Sequence, residues 1–170
     1  MKQLLLAVTL IFSYTIGNAQ TPYTSTKDEK NGNGIILNGL ISKYALENES
    51  TFTWYGSSRS SYTPDAANIT ALEKAKAKYK FLIFGGTWCE DTQFILPKFF
   101  KLQEMSGFPD ASISFFGVNR DKKTLGNMAD VFGITNVPTI IVLKDGKEVG
   151  RVVEYGKTGK WDTELISFLQ

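Results

Sequence analysis

The stretch FLIFGGTWCEDTQFILPKFF, residues 81–100, decides the fold prediction. It opens with four apolar residues in a row, which is typical of a central strand covered on both faces. Apolar residues then recur at helical spacing from Phe94 to Leu102, and Pro97 among them predicts a kinked helix. Cys89, the single cysteine of the chain, lies between the two elements. The stretch therefore predicts a strand, a turn that carries one thiol, and a helix.

The sequence on either side of this unit alternates between helix and strand patterns. Asp65, or else Thr70 with Glu73, has the side chain to cap the helix that precedes the central strand. The flanking elements predicted are a helix over 66–79, a strand over Ala111–Val118, a short helix over 123–133 closed by Gly133, a strand over Thr139–Leu143, a hairpin turn at Asp145-Gly146 and an amphipathic helix over 161–170. The alternation predicts a mixed α/β sandwich.

The first half of the chain carries weaker patterns. The polar composition from Gln20 to about Gly34 predicts a mobile leader. The apolar run IILNGLISKY, from Ile35 onwards, fits either a strand or part of a short helix. The segment Thr51–Gly56 alternates like a strand, and the polar residues after it predict a loop.

Residues 1–19 have the pattern of a signal peptide. Lys2 supplies a positive start, Leu4 to Phe12 is an unbroken apolar run, and Gly17 and Ala19 have the small-residue spacing of a cleavage site. The apolar run is too short to cross a bilayer core of ~30 Å comfortably as a helix. A retained anchor is the alternative. We expect cleavage after Ala19 and export to the periplasm (cell envelope) or secretion, with no stable membrane anchor left.

The composition excludes several classes of function. The chain has 19 basic and 17 acidic residues, a net charge of +2 and no basic stripe, so we expect no nucleic-acid partner. It has no histidine, which excludes Ser-His-Asp and Cys-His hydrolases and His-based zinc sites. It also lacks a glycine-rich phosphate-binding motif. We expect neither a cofactor nor a metal, and one cysteine permits no intramolecular disulfide.

Two motifs resemble the signatures of thioredoxin. In the first, Trp88-Cys89 follows a buried strand, and Pro97 stands eight residues past the cysteine. In the second, FGITNVPTIIVLKDG, residues 132–146, a hydrophobic residue precedes Pro138 and a threonine, a strand and a glycine turn follow it. The resemblance covers roughly residues 66–170, with both motifs in the right order and spacing. It implies a thioredoxin fold, in which helices flank a central mixed β-sheet. We place this domain at 51–170 and treat 20–50 as a polar leader and N-terminal extension.

The resemblance also implies a platform for client proteins. In this family, the proline that matches Pro138 is cis and exposes the backbone of the residue before it, here Val137, to an extended client segment. Val137, Pro138 and Thr139 are therefore the predicted client-binding residues. A trans-proline in an ordinary turn is the alternative.

The sequence departs from the family pattern at two positions. Thr92 replaces the second cysteine of the Cys-x-x-Cys pair, and Ile83 stands where thioredoxin carries a buried Asp that is thought to assist proton movement at that cysteine. Without a second thiol, a buried carboxylate would cost desolvation free energy with no return in chemistry. The two departures therefore agree with a site that works with one thiol.

The predicted chemistry belongs to Cys89. Unpaired N–H groups and the dipole at a helix start favour a thiolate, which is the nucleophilic form. We expect Thr92, one turn later, to donate its hydroxyl hydrogen to the sulfur, and Trp88 to shield one side of it. Glu90 and Asp91 oppose a second negative charge, although acidic residues also suit a first helical turn.

One thiol attacks a disulfide and forms a mixed disulfide but has no neighbour to release it. The first hypothesis is an exported monothiol protein that exchanges with client proteins or small thiols, with Cys89 as nucleophile. The second is a redox-inactive binding domain that keeps the fold and the peptide groove. The third is a homodimer linked through Cys89.

Overall fold

The structure, a computed structural model, describes residues 21–32 and 34–169. The predicted signal peptide lies outside these residues. Within them, six strands form one mixed sheet in the order β1-β2-β4-β3-β5-β6. The strands are β1 (Tyr23–Lys27), β2 (Ile35–Ile41), β3 (Tyr79–Gly85), β4 (Ile113–Gly117), β5 (Thr139–Lys144) and β6 (Lys147–Val153).

Strand β3 is central in position and in burial. It pairs in parallel with β4 and antiparallel with β5. Every residue of β3 except Lys80 is buried. This confirms the prediction that the apolar run beginning at Phe81 is a strand covered on both faces, because only a strand between two packed layers can be apolar along its length.

The described residues also form six α-helices, which are α1 (Lys43–Glu47), α2 (Thr53–Ser60), α3 (Ala66–Ala75), α4 (Glu90–Met105), α5 (Met128–Val131) and α6 (Trp161–Ser167). Helix α4 packs against α2 and α3, and α3 also contacts α6. Asp65 caps α3, because its carboxylate accepts a hydrogen bond of 2.7 Å from Ala67 N. The predicted α/β class is confirmed.

Two apolar clusters cover the two faces of the sheet. The larger cluster lies between the sheet and helices α2, α3, α4 and α6, and it contains an aromatic group in which the Phe81 ring lies 5.5 Å from Phe99 and 4.9 Å from Phe108. The smaller cluster includes Phe84 and lies beneath α5. Cys89 packs against this smaller cluster, so the predicted thiol lies over one face of the sheet near the end of β3.

The first half of the chain is more ordered than its composition predicts. The expected mobile leader contains β1, which pairs along its whole length with β2 from Tyr23↔Gly39 to Lys27↔Ile35. The run from Ile35, which fitted either element, is a strand that ends at Ile41 and is followed by α1. A polar edge strand has no apolar alternation to mark it, and it forms because β2 offers backbone partners.

The predicted strand over Thr51–Gly56 is wrong. These residues enter α2, and Phe52 and Tyr55, three positions apart, are both buried in the larger cluster. Six residues are too few to separate a period of 2 from one of 3.6, and the contact between α2 and α4 decides the outcome.

Three other boundaries differ from the predictions. The helix expected over 66–79 ends at Ala75, and the last helix ends at Ser167. The helix expected over 123–133 is a short 3-10 turn followed by α5, because Gly126 and Asn127 have positive φ angles of 75° and 58°. The hairpin turn at Asp145-Gly146 is confirmed, with φ angles of 52° and 76°.

Candidate thiol site

Cys89 is the N-cap residue of α4. Its backbone is extended, with φ −94° and ψ 124°, and its carbonyl accepts the hydrogen bond of 3.0 Å from Gln93 N that closes the first helical turn. The residue is half-buried. The N–H groups of Glu90, Asp91 and Thr92 have no partner four residues earlier in the helix, as at any helix start. The sulfur therefore lies beside the positive end of a helix of 16 residues.

The thiol contacts the residue before the second-motif proline. Cys89 Sγ donates a hydrogen bond of 3.1 Å to the carbonyl oxygen of Val137. The Val137–Pro138 peptide bond is cis. The structure thus brings together two motifs that lie about 50 residues apart in the chain, as the resemblance predicts.

The predicted client platform offers little free surface in this state. The Val137 side chain is 3% exposed, and its carbonyl is occupied by the thiol. Pro138 is buried, and its carbonyl accepts a hydrogen bond of 2.7 Å from Glu154 N. Thr139 is also buried and donates its hydroxyl to Asn136 O at 2.7 Å. Val137 N–H makes no hydrogen bond to another residue within the described part of the chain.

Thr92 does not have the contact that we predicted. It is fully buried, and its hydroxyl oxygen accepts a hydrogen bond of 3.2 Å from Gly86 N; the sulfur of Cys89 is bonded to Val137 instead. Position 92 faces the end of β3, where a side chain on Gly85 would meet the Thr92 methyl group at 3.0 Å. The side chain of Thr92 therefore joins α4 to the sheet. Ile83, the other departure from the family pattern, is fully buried in the larger cluster.

Trp88 precedes the thiol residue in the chain, and its indole ring is contacted by other residues on its edge and on its face. Its indole Nε1 donates a hydrogen bond of 3.0 Å to Val118 O. The guanidinium of Arg120 lies over the ring, 5.2 Å from its centre. Trp88 and Cys89 pack against the same apolar cluster. This placement is compatible with the predicted shielding role, which stays a prediction.

An aromatic pair lies near the start of α4. The rings of Phe94 and Tyr155 are 5.7 Å apart, and the two residues are 44% and 37% exposed. Partial burial and the hydrogen bond with the Asp91 carboxylate raise the pKa of the Tyr155 hydroxyl. The ammonium of Lys98 lies over the Phe94 ring, and burial lowers the pKa of Lys98. Sequence reasoning missed Tyr155, because no motif marks the residues after β6.

The N-terminal segment supplies another part of the site. Asp28, 1% exposed, accepts hydrogen bonds of 2.8 Å from both Nε and Nη2 of Arg120. These bonds hold the pKa of Asp28 below its usual value. A cleft of about 590 Å³ opens at the thiol and is lined by Lys30, Asn31, Trp88, Cys89, Glu90, Asp91, Gln93 and Arg120. No sequence pattern marks this side of the cleft, because Asp28 and Arg120 are 92 positions apart.

The described residues contain no group of three or more His, Cys, Asp or Glu side chains placed to hold a metal ion. No helix within them has the length and apolarity needed to cross a membrane. The residues that line the cleft include one thiol, that of Cys89. A thiol at a helix start, beside a cis-proline and after a buried strand, defines the class of α/β proteins built for thiol chemistry or for binding at that position.

The comparisons with known proteins identify the family. The thioredoxin family model matches residues 66–169. The chain therefore belongs to the thioredoxin family, and its six-stranded sheet flanked by helices is a thioredoxin-like fold.

Relatives of known sequence agree with this assignment. The chain is 29% identical to the thioredoxin of Mycoplasmopsis pulmonis over 86 residues, which are 50% of this chain and 79% of that protein. It is 33% identical to thioredoxin-1 of Saccharomyces cerevisiae over 84 residues, 48% of this chain and 76% of that one. It is 39% identical to thioredoxin H2-2 of Oryza sativa over 71 residues, 41% of this chain and 48% of that one.

Two solved structures share the fold alone. An HIV epitope scaffold superposes with a TM-score of 0.56 at 18% identity, covering 76% of this chain and 90% of the scaffold. A Pseudomonas aeruginosa protein of unknown function superposes with a TM-score of 0.53 at 17% identity, covering 75% of this chain and 87% of that one.

Proposed function

We propose that the protein is an exported monothiol member of the thioredoxin family, in which Cys89 forms mixed disulfides with client proteins or small thiols. One observation carries the proposal. Cys89, the single cysteine of the chain, lies half-buried at the start of α4 in an open cleft, and its sulfur is 3.1 Å from the carbonyl oxygen of Val137, the residue before Pro138.

The reaction needs no group beyond the thiol and its partners. The Cys89 thiol releases its proton to water, and the thiolate attacks one sulfur of a client disulfide. The new Cys89–client sulfur bond forms as the old disulfide breaks, and the second client sulfur leaves as a thiolate that takes up a proton. Release follows when an outside thiolate attacks the mixed disulfide, because Thr92 has no sulfur with which to do so.

The contact between the thiol and Val137 links proton loss to client binding. A thiol donates to the carbonyl, but a thiolate cannot, so ionisation of Cys89 frees the Val137 carbonyl. That carbonyl and the unpaired Val137 N–H then offer a donor and an acceptor to an extended client segment. Pro138 and Thr139 hold this backbone in place. The exposed rings of Phe94 and Tyr155 supply apolar surface next to it.

Mass spectrometry tests the proposal on the chain from Gln20 onwards. Incubation with a dimer of one peptide, joined by a single intermolecular disulfide, without reductant, is expected to add one peptide to the wild-type protein and nothing to Cys89→Ser. Insulin is not expected to be reduced in the absence of an added thiol. A wild-type protein that stays unmodified under these conditions contradicts the proposal.

The second candidate is a redox-inactive domain that binds peptides in the same groove. It is favoured by one observation, the integration of Thr92 into the core, which leaves no trace of a second redox group at α4. Capture of the same clients by wild type and Cys89→Ser with equal affinity supports this candidate. A disulfide-linked homodimer through Cys89 is the third outcome, and non-reducing electrophoresis detects it.

Export and partners are part of the same proposal. Residues 1–19 direct the protein to the periplasm or to secretion. Its partners are proteins with accessible thiols or disulfides, or small thiols, and do not include nucleic acid. Cleavage after Ala19 gives a mature chain that begins at Gln20. N-terminal sequencing of the protein recovered from the cell envelope or medium tests this, and a chain that still begins at Met1 contradicts it.

A further inference from the structure

We propose that Asp28 and Arg120 are positioning residues of the thiol site. Their ion pair fixes the N-terminal segment to the thioredoxin-like domain and holds the Trp88 indole in place beside Cys89. The inference rests on the proposed function, since these residues prepare the same thiol for exchange.

The ion pair between Asp28 and Arg120 has a rigid geometry. The two carboxylate oxygens of Asp28 accept separate hydrogen bonds of 2.8 Å from Nε and Nη2 of Arg120, which fixes the guanidinium plane as well as its position. Lys30 N donates to the same carboxylate at 3.2 Å. Asp28 N donates to Gly34 O at 2.8 Å, so the loop that carries the carboxylate is itself closed.

Arg120 also contacts Trp88. The guanidinium lies over the indole face, 5.2 Å from the ring centre, while the indole edge donates to Val118 O at 3.0 Å. A planar cation over an aromatic face is a favourable arrangement. The indole is therefore restrained on a face and on an edge by two different groups. A lysine ammonium also attracts an aromatic ring, but it lacks the planar, two-pronged group with which Arg120 holds both Asp28 oxygens while it lies over the indole.

The position of Trp88 affects access to the Cys89 sulfur. Trp88 and Cys89 are adjacent, line the same cleft and pack against the same cluster. The orientation of the indole consequently decides which side of the sulfur is open. Loss of Arg120 from its face would leave the indole held at its edge by Val118 O, so that it is free to turn towards the adjacent sulfur.

The test compares three variants with a matched control. Asp28→Asn and Arg120→Gln break the pair, and Arg120→Lys keeps the charge but removes the plane. Glu148→Gln is the control, because Arg151 Nε and Nη2 make a second two-pronged pair with Glu148, at 2.6 and 2.7 Å, in the hairpin away from the cleft. The readouts are hydrogen exchange of the Trp88 indole N–H by NMR, assigned with Trp88→Phe, and the rate at which Cys89 reacts with dithiobis(nitrobenzoic acid).

We expect the three variants to exchange the Trp88 indole proton faster than wild type. Their Cys89 is expected to react about three- to tenfold more slowly, which lies in the lower part of the range of coupling between residues in contact. Glu148→Gln should match wild type in both readouts. Arg120→Lys decides the question if the other two variants unfold, since it keeps a cation beside the buried Asp28 carboxylate.

Two results overturn the inference. One is an unchanged indole signal and an unchanged rate in the folded variants. The other is an equal change in Glu148→Gln. A wild-type Cys89 that fails to react at all contradicts the proposed function instead, and the indole exchange still decides whether Asp28 and Arg120 hold Trp88.

Discussion

Thr92 stands where dithiol members of this family have their second cysteine, and its surroundings show why the hydroxyl is tolerated there. The side chain is fully buried, and its oxygen accepts the hydrogen bond of Gly86 N. A buried N–H without a partner costs free energy. Threonine supplies an acceptor to this backbone group, which an apolar residue at position 92 would leave unpaired. The sequence correctly marked position 92 as unusual but could not reveal the direction of its hydroxyl.

Substitution of Thr92 by cysteine tests the geometry of the site at the residue scale. The substitution restores a Cys-x-x-Cys pair one helical turn apart. We expect Thr92→Cys to reduce insulin when an electron donor such as dithiothreitol is supplied, at a rate above that of the wild type. Thr92→Ser is the matched control, since it keeps the hydroxyl and adds no thiol. A folded Thr92→Cys with no more activity than Thr92→Ser would show that positions 89 and 92 do not meet.

At the scale of elements, the start of α3 illustrates what the sequence leaves open. Both Asp65 and Thr70 fit the pattern of a cap, and the structure selects Asp65. Thr70 lies within the helix, where its hydroxyl donates to Ala66 O at 3.0 Å. A sequence pattern gives the residue types that suit a cap, but the position of the first turn depends on how the helix packs.

This choice predicts different stabilities for two alanine variants. Asp65→Ala removes the acceptor of Ala67 N and is expected to lower the free energy of unfolding by about 1 kcal/mol, the usual effect of losing an N-cap. Thr70→Ala should change it by less than about 0.5 kcal/mol, as is typical of surface positions. Denaturant unfolding followed by circular dichroism measures both. Equal losses in the two variants would contradict the assignment of the cap.

Local patterns predicted the chain from β3 onwards better than the part before α3. Strand β3 and the Asp145-Gly146 turn are specified by neighbouring residues, since an apolar run or two left-handed turn residues suffice to mark them. Strand β1 and helix α2 depend on distant partners instead: β1 on the backbone of β2, and α2 on α4. Contacts of this kind have no signature within a short window of sequence.

At the scale of the whole molecule, the N-terminal segment is joined to the domain in two ways. Strand β1 extends the sheet by one strand, and Asp28 pairs with Arg120 after β4. The cleft at Cys89 is therefore built from parts of the chain 92 positions apart. The sequence predicted the thiol, the proline motif and the order of the central elements, but it could not predict a wall formed by two such separated residues.

The Asp28–Arg120 pair predicts a specific dependence of stability on pH. The pKa of Asp28 is lower in the folded protein than in the unfolded chain, so the unfolded chain binds the proton first as pH falls. The stabilisation of the folded protein by the ionised Asp28 is fully present above the ordinary Asp pKa of about 3.9, and it is lost as pH falls through the lowered pKa of Asp28 in the folded protein. The difference in unfolding free energy between wild type and Asp28→Asn should be constant near neutral pH and shrink below pH about 4. A difference that does not change with pH contradicts the role of the pair.

A single sulfur captures a client in the proposed reaction and cannot release it alone, and the lifetime of the captured complex measures this most directly. Wild-type protein is mixed with a peptide dimer joined by a single intermolecular disulfide, the unreacted dimer and the released peptide thiol are removed, and the amount of complex is followed by mass spectrometry with and without added small thiol. We expect a one-to-one complex through Cys89 that persists without thiol and decays when thiol is added. Absence of the complex, or its decay at the same rate in both conditions, contradicts the claim.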